Sequence, residues 1–250
     1  MSKDRKQYMR DIYSQQWHDK RKSYGISNYD KFIFTELTNI KQSGKVLEVA
    51  IGDGEPYSKY MLSMDYDVYG IDIAPYLIDQ VQESFPDINA SVGDAENIKF
   101  SSDYFDITYC FRSSWYFPNI EKAIGEMIRV TKHGGVVIFD LQNKNHISHI
   151  KKIKKSTFDQ NHQILSALVR YLKNIIKIIC RPIKHYYTDW SLRTIIYETP
   201  SDISAILSLL SNKVSSLKIF GFDSLIHNSC KEINASNIDY YDRIIIKLIK

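Results

Sequence analysis

The chain has 250 residues, 44% of them hydrophobic and 25% charged, ordinary proportions for a globular α/β domain with a full core. Its net charge of +4 is uneven: Lys144 to Lys184 holds ten Lys or Arg against one acid, Asp159, so the remainder is mildly acidic. Three widely spaced cysteines (Cys110, Cys180, Cys230) give neither a disulfide framework nor a metal pattern. With a polar N-terminus and no bilayer-length apolar run, they point to a cytoplasmic chain.

Residues 3–22 carry Tyr8, Met9, Ile12, Tyr13 and Trp17 at helical spacing. This reads as an amphipathic helix, packed on the domain edge or acting as a lid whose Tyr13 or Trp17 covers a ligand. A second helix over Tyr29 to Ile40 stops at Ser43-Gly44.

Lys45 to Gly54, KVLEVAIGDG, organises the rest of the chain. An apolar run, a glycine turn (Gly52-Asp53-Gly54) and then a helical pattern begin a βαβ nucleotide-binding unit. Glu48 interrupts the run. It is either a strand-end residue, exposed or ion-paired, or the partner of a cationic ligand. A pyrophosphate suits an acid there poorly; the sulfonium and ammonium of S-adenosylmethionine suit it well.

The second strand, Tyr66 to Asp72, also ends in an acid, 24 residues after Glu48. A carboxylate at that spacing can accept from both hydroxyls of a ribose. The other reading of Asp72 is an N-cap for the helix starting at Pro75. After a helix over Tyr76 to Ser84 and a third strand over Ile88 to Val92 comes Gly93-Asp94-Ala95-Glu96. Asp94 is then a turn residue or an acceptor for an adenine amino group. A fourth strand, Phe105 to Phe111, leads into the aromatic loop Arg112 to Pro118. Next come a helix over Ile120 to Val130, a stop and turn at Lys132 to Gly135, and a fifth strand over Gly135 to Leu141.

The ordered pieces VLEVAIGDG, YGIDIAPYLI, GDAENIKF, FDITYC and EMIRVTKHGGVVIFD resemble the motifs of class I S-adenosylmethionine-dependent methyltransferases of the type 11 kind, over residues 29–141. The resemblance implies an α/β fold: a Rossmann-like seven-stranded sheet, six strands parallel and the last antiparallel. N-terminal helices (1–44, the lid) and a helical cap inserted after strand five (142–200) would complete a single domain, 1–250. Val214 to Phe220 and Arg243 to Ile249 would be the last two strands, a hairpin at the sheet edge.

It also implies roles. Glu48 would face the methionine amino group, and backbone at Ala50, Gly52 and Gly54 would line the methionine part. Asp72 would hold the ribose with Ile73 on the adenine, and Asp94 and the Ala95 N–H would read the adenine edge. Phe111 and Arg112 would border the sulfonium, with Arg112 turned to an acidic substrate or paired with an acid. One departure is Ala50, where the family has a glycine. Alanine disfavours positive φ, so an ordinary backbone conformation is expected there, or a methionine tail seated further out.

The inserted segment holds a basic amphipathic helix whose apolar face includes Leu165, Leu168, Leu172, Ile175 and Ile179. With the basic residues to Arg181 (164–181), it suits either a peripheral contact at the inner face of an anionic membrane or a cap packed on the domain or on a second subunit in a homodimer. Tyr186 to Pro200 resembles loosely the methyltransferases of surface-polysaccharide pathways. The expected reaction is methyl transfer to a hydroxyl of a small molecule or glycan, including a lipid-linked sugar. His146, just past the fifth strand, is the candidate general base, or else an exposed loop histidine. The alternatives are RNA methylation, which the absence of an RNA-binding module disfavours, and a non-catalytic S-adenosylmethionine-binding protein.

Overall fold

The computed structural model describes residues 6, 7, 9–11, 25–40, 44–150, 200–223 and 229–250. The readings of Tyr13, Trp17, the basic helix and Tyr186 to Trp190 fall outside them.

Helix α1 (Asn28–Thr38) opens on a capping box: Ser27 accepts from the Asp30 N–H, and the Asp30 carboxylate accepts from the Ser27 N–H. Strand β1 (Lys45–Val49), helix α2 (Tyr57–Leu62), β2 (Asp67–Asp72), α3 (Pro75–Ser84) and β3 (Asn89–Val92) form the first half. Then come β4 (Phe105–Cys110), α4 (Ile120–Val130), β5 (Thr131–Gln142), α5 (Ile203–Leu210), β6 (Ser216–Asp223), β7 (Ser229–Glu232) and β8 (Arg243–Ile249).

One eight-stranded sheet runs β3-β2-β1-β4-β5-β8-β6-β7. The first five neighbours pair in parallel, and β8 lies antiparallel between β5 and β6. Six parallel strands and an antiparallel last strand are therefore present as expected. The expected edge hairpin is corrected: Arg243–Ile249 is an interior strand, and the edge belongs to an eighth strand, β7, antiparallel to β6. Lys132 to Gly135, expected as a stop and turn, also belongs to β5, which begins at Thr131. A register shift between Phe105↔Thr131 and Ile107↔Val136 accommodates Gly134 at φ +76°.

The sheet is apolar on both faces because helices cover both. Val137, Phe139 and Leu141 join Ala123, Ile124 and Met127 of α4 and Ile203, Ile206 and Leu210 of α5 on one side. Val136 and Ile138 join Tyr29, Ile33 and Leu37 of α1 and Met61 of α2 on the other. The chain order reverses between β1 and β4, so the crevice for a ligand opens outside the C-terminal ends of these strands.

Candidate cofactor and acceptor site

A cleft lies at that switch point, with about 970 Å³ of empty space including its solvent-open mouth. Its lining includes Glu48, Ala50, Gly52, Asp72, Ile73, Asp94, Ala95, Phe111 and Arg112, which the structure brings together from the ends of β1, β2, β3 and β4. Two residues singled out in the sequence do not line it. Gly54, at φ +81°, faces α3: a Cβ there would meet Phe85 Cδ2 at 3.1 Å. His146 is buried, its Nδ1 2.8 Å from Ser148 Oγ.

The turn after β1 corrects the expectation for Ala50. It holds φ +60°, the conformation that glycine adopts easily, followed by Gly52 at φ +62°. For alanine this costs about 1–2 kcal/mol. A Cβ at Gly52 would meet nothing within 4 Å, so the space above the turn is open for a ligand to approach the main chain.

Each acid is fixed in place. Glu48, 3% exposed, accepts from Ser58 Oγ at 2.6 Å. Asp72 accepts the Gly52 N–H at 3.0 Å and the Ala74 N–H at 2.9 Å. It is not the N-cap of α3: that position is Ala74, with no side-chain cap. Asp94 bonds the Glu96 N–H at 2.9 Å. Lys6, from the N-terminal helical residues, reaches Asp94 at 2.7 Å and Glu96 at 2.8 Å. Burial works against its charge, but these two bonds prevail and raise the Lys6 pKa. Glu96 also accepts the Asn119 N–H at 2.7 Å, tying this corner to the start of α4.

At the other end stand Tyr57, Phe111, Arg112, Ser113, Tyr116, Phe117 and Pro118. Arg112 is paired with an acid: its Nη2 bonds Asp30 and Ser27 Oγ, each at 3.0 Å, and its guanidinium lies 5.0 Å over the Tyr29 ring. Its backbone N–H donates to Asp140 at 2.8 Å, with Arg112 itself at φ +59°. Burial would lift the Asp30 pKa, but Arg112 and hydrogen bonds from Ser27 and Tyr57 hold it below the usual carboxylate range. Asp140 is fully buried. Desolvation raises its pKa, although Arg243, the Tyr29 hydroxyl and the Arg112 N–H pull against it. Sequence reasoning missed Lys6, Glu96, Tyr57 and Asp30. Lys6 and Asp30 act across 88 and 82 residues, and no local pattern marks such pairs.

The residues fit S-adenosylmethionine. The cleft carries four carboxylates (Glu48, Asp72, Asp94, Glu96) against two cations (Lys6, Arg112), which suits a ligand with a sulfonium and an ammonium. The carboxylates come from the ends of three adjacent strands, β3, β2 and β1. Among the described residues no group of three or more His, Cys, Asp or Glu could hold a metal ion, and no helix is long and apolar enough to cross a membrane.

Comparison with known proteins agrees. Residues 47–139 match the family model described as "Methyltransferase domain". The chain is similar to the phthiotriol/phenolphthiotriol dimycocerosates methyltransferase 1 of Mycobacterium ulcerans, 31% identical over 116 residues, 44% of this chain and 43% of that protein. It is similar to the demethylmenaquinone methyltransferase of Paenarthrobacter aurescens, 31% identical over 119 residues, 46% of each. The chain thus spans less than half the length of these relatives. Its fold is shared, at 14% identity and a TM-score of 0.55, with a TehB-like S-adenosylmethionine-dependent methyltransferase from Corynebacterium glutamicum, over 94% of this chain and 95% of that one. Residues 47–139 thus match a methyltransferase domain, and the sheet order and cleft give the chain the fold of an S-adenosylmethionine-dependent methyltransferase.

Proposed function

We propose that the protein moves a methyl group from S-adenosylmethionine to an oxygen of a small molecule or glycan, a lipid-linked acceptor included. One observation carries the cofactor part: Glu48, Asp72 and Asp94 stand at or just past the C-terminal ends of three adjacent strands and line one cleft. When bound, the cofactor supplies an electrophilic methyl on a positively charged sulfur. The chain's residues hold the cofactor, place the acceptor and exclude water. Asp72 and Asp94 orient the nucleoside, and Glu48 fixes the amino group.

Tyr57, Phe111, Tyr116, Phe117 and Pro118 give the other end an apolar, aromatic wall suited to a hydrophobic or sugar-bearing acceptor. The relatives named for phthiotriol dimycocerosates and demethylmenaquinone support that class. Placement of the acceptor oxygen about 3 Å from the methyl carbon in a dry site carries most of the rate.

Calorimetry with S-adenosylmethionine, S-adenosylhomocysteine and NAD tests the cofactor. Binding of the first two and not the third is expected; NAD binding alone would overturn the reading. Mass-spectrometric detection of a 14 Da gain (roughly one CH2) in lipid, glycan and RNA extracts tests the acceptor. A gain confined to RNA would reverse the choice of acceptor.

A further inference from the structure

The N-terminal residues reach the cleft from outside the sheet. Residues 6, 7 and 9–11 are helical, with Lys6 and Met9 on the cleft side and Gln7, Arg10 and Asp11 exposed on the other. Gln7 bonds Asp11, one turn on, at 2.9 and 3.1 Å, which supports the outer face. Met9 is buried against the cleft.

The inner face is anchored by charge. Lys6 Nζ donates to Asp94 Oδ2 at 2.7 Å and to Glu96 Oε2 at 2.8 Å. The other oxygen of each acid is already engaged: Asp94 Oδ1 accepts the Glu96 N–H, and Glu96 Oε1 accepts the Asn119 N–H. One ammonium therefore occupies the remaining oxygen of both carboxylates. Asp94 is also an acid proposed above to orient the nucleoside, so Lys6 and the cofactor compete for Oδ2. We propose that Lys6 is a charge latch: it holds residues 6–11 across the end of the cleft proposed for adenine, and it releases Asp94 each time cofactor enters or spent product leaves. This rests on the cofactor reading above and adds a control on the rate of exchange. The Lys6 and Asp94 side chains are 28% and 34% exposed, so water competes for the pair and the latch can open; a fully buried pair would lock the cleft.

The test follows release of radiolabelled S-adenosylhomocysteine from the full chain, chased by unlabelled ligand. Calorimetry gives the dissociation constant, and thermal melts check folding. Lys6→Met should release the ligand roughly fivefold faster or more, while its dissociation constant moves by less because entry quickens too. Lys6→Arg should stay within about twofold of wild type, since it keeps the charge and the donors. Glu96→Gln keeps an oxygen for the Asn119 N–H and weakens the grip on Lys6, so it should also speed release. Lys6→Met and Glu96→Gln change the cleft charge in opposite directions. Release that quickens in both marks a latch; rates that move in opposite senses mark a field effect and overturn the proposal. Unchanged release from folded Lys6→Met overturns it as well. So does a dissociation constant that rises in step with the release rate, which would make Lys6 an ordinary ligand contact. A wild-type chain that fails to bind S-adenosylhomocysteine sinks the cofactor reading, and the latch with it.

Discussion

Asp72 at the end of β2 accepts the Gly52 N–H at 3.0 Å, so one carboxylate both faces the cleft and shapes the neighbouring strand's glycine turn. Removing it does two things at once. Asp72→Ala strands the Gly52 and Ala74 N–H groups, each costing about 1–3 kcal/mol if left unsatisfied. It also removes the proposed ribose acceptor. We expect S-adenosylhomocysteine affinity to fall at least tenfold and the melting temperature to drop by several degrees. An unchanged dissociation constant in a folded variant would take Asp72 off the ribose.

Ala50 holds φ +60° without glycine's freedom. Ala50→Gly should therefore stabilise the chain by roughly 0.5–1 kcal/mol, the relieved strain exceeding glycine's extra unfolded-state entropy. Urea unfolding measures this. Destabilisation would mean that the methyl group contributes packing larger than the strain.

Lys6 bridges Asp94 and Glu96 at the end of the cleft proposed for adenine. Lys6→Met makes the cleft more negative by one charge. S-adenosylmethionine carries one more positive charge than S-adenosylhomocysteine and shares its adenosine contacts. The preference for the cation over the neutral product should rise several-fold in the variant and shrink in 0.5 M salt (roughly a 4–5 Å Debye length). A ratio unchanged at low salt would place Lys6 outside the field felt by the sulfonium.

Burial raises the pKa of Tyr29, Tyr57 and Tyr109 well above the usual tyrosine value, does the same to the Cys110 thiol, and pushes Cys230 up to about 12. These groups keep their protons when folded and lose them when unfolded. The unfolded state then binds fewer protons, so stability falls as pH rises, from about pH 9 for the thiols and about pH 10 for the phenols. Each group adds a slope approaching about 1.4 kcal/mol per pH unit. Melting temperatures between about pH 8 and 11 should show this limb, and Tyr109→Phe should flatten it. An unaltered slope in that variant would mean Tyr109 ionises equally in both states.

Gly221 on β6 lies under the Tyr241 ring, where a Cβ would come within 2.4 Å of Tyr241 Cγ. Gly221→Ala should cost about 1–3 kcal/mol, because a buried ring must move. Gly125→Ala on α4, with nothing within 4 Å of the added Cβ, should instead be neutral or stabilising. Denaturant midpoints that move alike in both would argue against a steric cause at Gly221.

Legibility in the sequence depends on periodicity. Ile120–Val130 and Arg243–Ile249 are readable with their observed bounds because each carries a continuous apolar pattern. The β7 strand, Ser229-Cys-Lys-Glu, is short and polar and pairs only through its backbone, so composition does not reveal it. The cleft acids are visible because each lies in or just past an apolar strand. The Arg112–Asp30 pair is half visible: a cation beside a sulfonium demands an acid, but only the packing of α1 against the sheet shows which. Ala50 escapes because tertiary contacts hold a conformation that local preference disfavours. Gly54 and His146 rest on position in a motif, and position alone does not say which way a residue faces.

The β8 strand, residues 243–249, sits between β5 and β6 although it is made after both. A ribosome therefore delivers β5 and β6 before the strand that joins them. Until then β5 and β6 each present an unpaired apolar edge, the kind that recruits foreign strands. The vulnerable interval for aggregation is thus the time before β8 emerges and inserts, and the rate of that insertion governs yield. Slowing translation upstream would not shorten that interval; a chaperone shielding those two edges would.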